Sequence, residues 1–184
     1  MANSTRRSAA QPQPILGPSR IGAGKPGPSI PIDRASLQRL FTAAASPQPQ
    51  EIWSRDDSDL LVHVGRTTLT LGEGLVLVRV PVMSVETGAT MVEVPFAVGS
   101  KERPAGMVVA TEDHPRGDER LMPLWGESLT AFAWQALLRV AAQIAANAGV
   151  DEDGNALIPI AMTASSDGLV VQTLARHAFD RVRP

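Results

Sequence analysis

The side chains best suited to chemistry gather in one stretch. Residues 112–126 read Glu-Asp-His-Pro-Arg-Gly-Asp-Glu-Arg-Leu-Met-Pro-Leu-Trp-Gly, with six charged groups and one histidine. His114, with Asp113, Arg116 and Asp118 close by, supplies an imidazole, two carboxylates and a guanidinium. Those are the components of acid–base work or of a metal site. A metal needs several ligands at defined spacing, and no second histidine lies near enough to serve. The stretch therefore reads as a charged loop, with Asp113, His114, Arg116 and Asp118 as its candidate polar site.

The other chemical patterns fail on inspection. Gly22-Ala23-Gly24-Lys25 suggests a phosphate loop, but Ser19 stands where the first glycine is needed and Pro26 where Ser or Thr must follow. Asp151-Glu152-Asp153-Gly154-Asn155 suggests a calcium loop, but its glycine is fourth rather than sixth and Met162 holds the twelfth place. Asp56, Asp57 and Asp59 read as a solvated turn, His63 as a strand residue and His177 as part of a solvated tail. Nucleophile elbows, zinc-protease helices and dinucleotide fingerprints are absent. The chain has no cysteine, which excludes disulfides, thiolate metal sites and cysteine nucleophiles. No cofactor is expected.

Charge divides the chain in two. Residues 1–32 carry Arg6, Arg7, Arg20 and Lys25 and no acid, which leaves 13 of the 17 basic residues against all 19 acids in residues 33–184. A basic arm thus precedes an acidic body, and the whole chain has a net charge of −2. A globally basic nucleic-acid binder is disfavoured, and a stacking platform is poorly served by four Phe, three Trp and no Tyr. Nucleic acid is expected at most non-specifically through the arm. Residues 1–31 hold six prolines, and their bulky aliphatics are only Ile15, Leu16, Ile21 and Ile30. Such a segment buries too little to offset its ordering cost, so it reads as a disordered or extended arm whose removal leaves stability unchanged. It lacks the apolar run of a secretory signal peptide. The expected location is the cytoplasm, or a virion or secretion assembly.

The elements that must position these groups follow from periodicity. Asp33 is placed to cap a helix over 34–45, with Leu37, Leu40 and Phe41 on one face and Ser46-Pro47-Gln48-Pro49 as its stop. Strands are predicted over 51–54, 60–64, 66–71, 75–85, 90–98 and 106–111. The two long runs alternate, with Val76, Val78, Val80 and Val82 facing Val92, Val94, Phe96 and Val98. Gly88 lies in the turn, and Pro81 and Pro95 are expected near each other at an edge or bulge. Ser128 to Ala148 reads as a long helix capped by Ser128. It is apolar except for Thr130 and the line Gln135, Arg139, Gln143 and Asn147. Arg139 near its centre argues against a membrane span. A terminal hairpin closes the chain, over 157–163 and 169–174.

The expected architecture is α+β: a mostly antiparallel sheet of five to six strands, a short N-terminal helix, one long helix (128–148) and a C-terminal β-hairpin, in a single domain over 32–184. So apolar a helix needs cover on more than one side. That predicts self-association, with Trp134, Leu138, Ala141 and Ala145 as the interface. The functional expectation is a non-enzymatic interaction protein: a subunit, adaptor or chaperone of a larger bacterial or phage assembly. The alternatives are an exported protein whose arm is the signal, and a small enzyme or ligand-binding domain built on residues 112–126.

Overall fold

A computed structural model describes residues 26–100, 109–110 and 115–175. The expected α+β fold is present, with its short first helix, antiparallel sheet, long helix and terminal hairpin. Nine strands are described: β1 Pro26–Asp33, β2 Glu51–Arg55, β3 Ser58–Val62, β4 Thr68–Gly72, β5 Leu75–Ser84, β6 Gly88–Ala97, β7 Val109–Ala110, β8 Leu157–Ala164 and β9 Gly168–Ala175. The helices are α1 Arg34–Ala45 and α2 Met122–Asn147.

The strands form two sheets. The larger runs β2-β3-β5-β6-β7, and β4 also pairs with β5. β3 and β4 share one side of β5 end to end, separated by a single 3-10 turn at Val64–Arg66. The smaller runs β1-β9-β8. Backbone bonds join the two where the chain leaves β6. Gly99 N donates to Met162 O at 2.8 Å, and Ala164 N donates to Gly99 O at 2.9 Å. Both sheets turn their apolar faces to one core with α1 and α2, in which Leu37, Phe41, Val78, Phe96, Val140, Ile144, Met162 and Val171 are buried together.

β5 and β6 alternate as predicted, and Val80 and Phe96 are both fully buried. Their register differs in detail. Val80 lies opposite Val92 and Phe96 opposite Val76, because the connection closes on the pair Ser84–Gly88. Gly88 holds φ +67°, which glycine adopts without strain. Pro81 then faces Met91 and Pro95 faces Leu77, so the prolines are not neighbours. Each sits at a break in pairing instead. Pro81 lies opposite the gap between β3 and β4, where His63 N donates to Pro81 O and His63 O accepts from Arg66 N. The missing proline N–H therefore strands no acceptor there. Pro95 falls between the Glu93–Arg116 bridge and the Phe96–Ala110 pair.

Two expectations are corrected. Part of the predicted arm is a strand of the fold, since Pro26–Asp33 forms β1 against β9, with Ile30 opposite Val171 and Ile32 opposite Leu169. Extended backbone tolerates proline on an outer strand. Residues 1–25 lie outside the described residues. The long helix starts at Met122 rather than Ser128. Pro123 stands in its first turn, where an N–H has no helical partner to lose. Trp125 and Gly126 are buried by that extra turn. α1 begins as predicted, with the Asp33 carboxylate accepting from Ser36 N at 2.9 Å.

By length and composition, α2 is apolar enough to cross a membrane. In the fold it packs against α1, β8, β9 and β6. Ten of its residues are buried there.

Candidate functional site

The loop that looked chemical is held by structural bonds where it is described. Asp113 and His114 lie outside the described residues. Arg116 pairs with Glu93 through reciprocal backbone bonds of 2.8 Å. Asp118 grips Arg120 in a two-point contact, at 3.0 Å to Nε and 2.8 Å to Nη2. Hydrogen bonds from the Arg120 side chain and backbone pull the Asp118 carboxyl from 3.8 to about 2. Arg120 Nη1 reaches on to Glu86 O at 2.8 Å, which ties this segment to the β5–β6 turn. Asp118 O accepts from Leu121 N and Met122 N and so leads the chain into α2.

The remaining candidates also resolve locally. Asp56 and Asp57 make the two-residue turn between β2 and β3, and Asp59 accepts from Ser54 Oγ at 2.6 Å. Gln50 Nε2 meets His63 Nδ1 at 3.1 Å. Asp151 folds back on Asp153 N and Asn155 N at 3.0 and 2.7 Å. His177 lies outside the described residues. Among the described residues, no group of three carboxylate or imidazole side chains is placed to hold a metal.

The interface candidates on α2 separate into two pairs. Ala141 and Ala145 are buried within the chain, so the core takes them and they are not free to meet a second chain. Trp134 is 43% exposed and Leu138 is half-buried. With Ala131 and Ala142 they form the open strip of the helix.

Beside that strip lies a cleft of about 570 Å³ between β2 and α2. β2 supplies Glu51, Trp53 and Arg55, which alternate onto the core side of the sheet. One flank of α2 supplies Trp125, Ser128, Phe132, Gln135 and Arg139. The floor is aromatic. Trp53 meets Phe132 edge-on, with centroids 5.7 Å apart, and Trp125 at 6.4 Å. Trp125 is 3% exposed, and its indole N–H has no hydrogen-bond partner. Buried donors are seldom left so. The rim is cationic. Arg55 lies 6.0 Å over the Trp125 ring and donates to Leu124 O at 2.8 Å. Arg139 donates to Ala44 O at 3.3 Å. Hydrogen bonds from Ser46 and Trp53, with the charge of Arg139, hold the Glu51 carboxyl below its ordinary value. Glu51 is thus a fixed anion rather than a proton donor near neutral pH.

Sequence reasoning passed over this cleft. Its signal was faint: an amphipathic Glu-Ile-Trp-Ser-Arg run, and a tryptophan assigned to a loop. No family model, curated protein or solved structure matches the chain.

Proposed function

We propose that this chain is a non-enzymatic interaction protein that binds other protein chains, itself among them, at the β2–α2 cleft and the adjoining open strip of α2. The observation that carries the reading is the chemistry of the cleft. Tryptophan and arginine are the residues that anchor protein interfaces, and here Trp53, Arg55 and Arg139 converge with Phe132 in one concave site over the buried Trp125. The one carboxylate among them is held ionised, which suits a fixed charge contact better than proton transfer. Trp134 and Leu138 extend apolar surface beside it.

Site-specific photo-cross-linking in the native cells tests this. A photoreactive residue at Gln135, on the cleft wall, is expected to give discrete protein adducts. The same residue at Val85, which is 95% exposed in the β5–β6 turn, is expected to give none of these. Equal labelling at both positions, or no adduct at Gln135, overturns the reading.

A further inference from the structure

β2 is the outer strand of the larger sheet, and it differs from the edges at β1, β4 and β8. Sheet edges invite pairing unless something blunts them. β1 carries Pro26, Pro28 and Pro31. β8 carries Pro159 and a break in register beside it. β4 pairs only with β5, but its outward Leu69 N–H is taken by Gln38 Oε1 at 2.9 Å. β2 has five residues in unbroken register with β3, and none is proline or lysine.

The pairing pattern says which groups it offers. Arg55 faces Ser58 across a two-residue turn, Trp53 faces Leu60 and Glu51 faces Val62. His63 donates to Pro81 on the far side of β3. By alternation, residues 58, 60 and 62 then turn their backbone groups to β2, and the partners 51, 53 and 55 return them. Ile52 and Ser54 are left with N–H and C=O pointing away from the sheet. Ile52 is also 71% exposed.

We infer that β2 pairs antiparallel with β2 of a second copy of this chain, about a two-fold axis through Trp53, to give one sheet continuous across a dimer. The strand reads the same way under that operation. Ile52 meets the partner's Ser54 through backbone bonds, and Ser54 meets the partner's Ile52. Glu51 falls opposite the partner's Arg55, and Arg55 opposite the partner's Glu51. These are close, non-hydrogen-bonded pairs, in which opposite charges attract most directly. Trp53 meets the partner's Trp53 on the axis. An isologous interface requires such self-complementarity, and a charge pattern with like ends would forbid it. The cleft leaves room for the incoming side chains, since small Ser128 and Ala131 form part of its wall. Each Glu51 already accepts from Trp53 Nε1 at 3.0 Å and keeps acceptor capacity for a guanidinium. The inference rests on the interaction reading and names the partner as a second copy.

Charge exchange tests it with purified full-length chain. Light scattering of the wild type is expected to give twice the 19.5 kDa chain mass at high micromolar concentration. Glu51→Arg alone and Arg55→Glu alone each place like charges opposite each other twice, and each is expected to weaken dimerisation at least about tenfold. An equimolar mixture of the two variants pairs every charge with its opposite, so it is expected to recover a heterodimer. That recovery also shows that both variants are folded. Ser54→Pro removes an outward N–H without touching the β3 ladder, and it is expected to give monomer. A wild type that stays monomeric, or a dimer of equal strength in all variants, overturns the inference. Protein adducts at Gln135 in cells, with a monomeric purified chain, would leave the interaction reading standing while removing the second copy as partner.

Discussion

Replacing Phe96 by alanine removes the largest side chain of the β5–β6 pair from a position with no exposure to solvent. Its cross-strand partner Val76 is 1% exposed, and Val78 and Val94 lie on the same buried face. A phenylalanine of this kind takes roughly 150 Å² or more out of water. At about 25 cal/mol per Å² the transfer part alone is about 4 kcal/mol. A residual cavity adds to that and relaxation subtracts, so the expected loss is ~3–5 kcal/mol. In a chain of this size that lowers Tm by roughly 6–20 °C. Met91→Ala on the same strand is the control. Met91 points to the opposite face, pairs with Pro81 and is 43% exposed, so it is expected to cost under about 1 kcal/mol. Urea unfolding of the three proteins measures both. A cost at Phe96 below about 1 kcal/mol, or equal costs at the two positions, would refute the alternation assigned to β6.

Three further outcomes follow from the fold. Deleting residues 1–25 is expected to leave Tm within about 2 °C, whereas deleting 1–32 lowers it further by stripping β1 from β9; equal melting of the two truncations would contradict the β1 pairing. Gly168→Ala is expected to destabilise by about 1–3 kcal/mol, because a Cβ there collides with the Ile32 carbonyl across the strand pair, and an unchanged denaturation midpoint would contradict that packing. The Asp118 carboxyl titrates lower in the folded chain than its ordinary 3.8, so its contribution is complete above that value and is lost as pH falls towards about 2. Asp118→Asn is therefore expected to flatten the stability–pH curve in that window, and an unaltered slope there would count against the Asp118–Arg120 contact.

Legibility followed the range of the interactions. α1 was readable to the residue because its signals are local: Asp33 capping, apolar spacing of three and four, and a Ser-Pro-Gln-Pro stop. The long hairpin was readable as alternation, but its register was not. Register depends on which pair closes the turn, and closure on Ser84–Gly88 sets Pro81 against Met91 and Pro95 against Leu77 rather than against each other. The start of α2 was missed because Pro123 resembles a loop residue in sequence, although the first turn tolerates it and no side-chain cap marks the start. β1 was missed because its pairing is with residues 168–174, at the other end of the chain. The cleft was hidden for the same reason. Trp53 is far in sequence from Trp125 and Phe132, and the edge position of β2 is a property of strand order rather than of its five residues.

In the proposed dimer the outward backbone groups of β2 are occupied by a second copy. Amide hydrogen exchange, followed by NMR at low and high protein concentration, reads those groups directly. The Ile52 and Ser54 amides are expected to exchange more slowly as concentration rises. The Trp53 amide, turned inward to Leu60 on β3, should be protected alike at both concentrations. Ile52 and Ser54 amides that exchange rapidly and equally at both concentrations would contradict it.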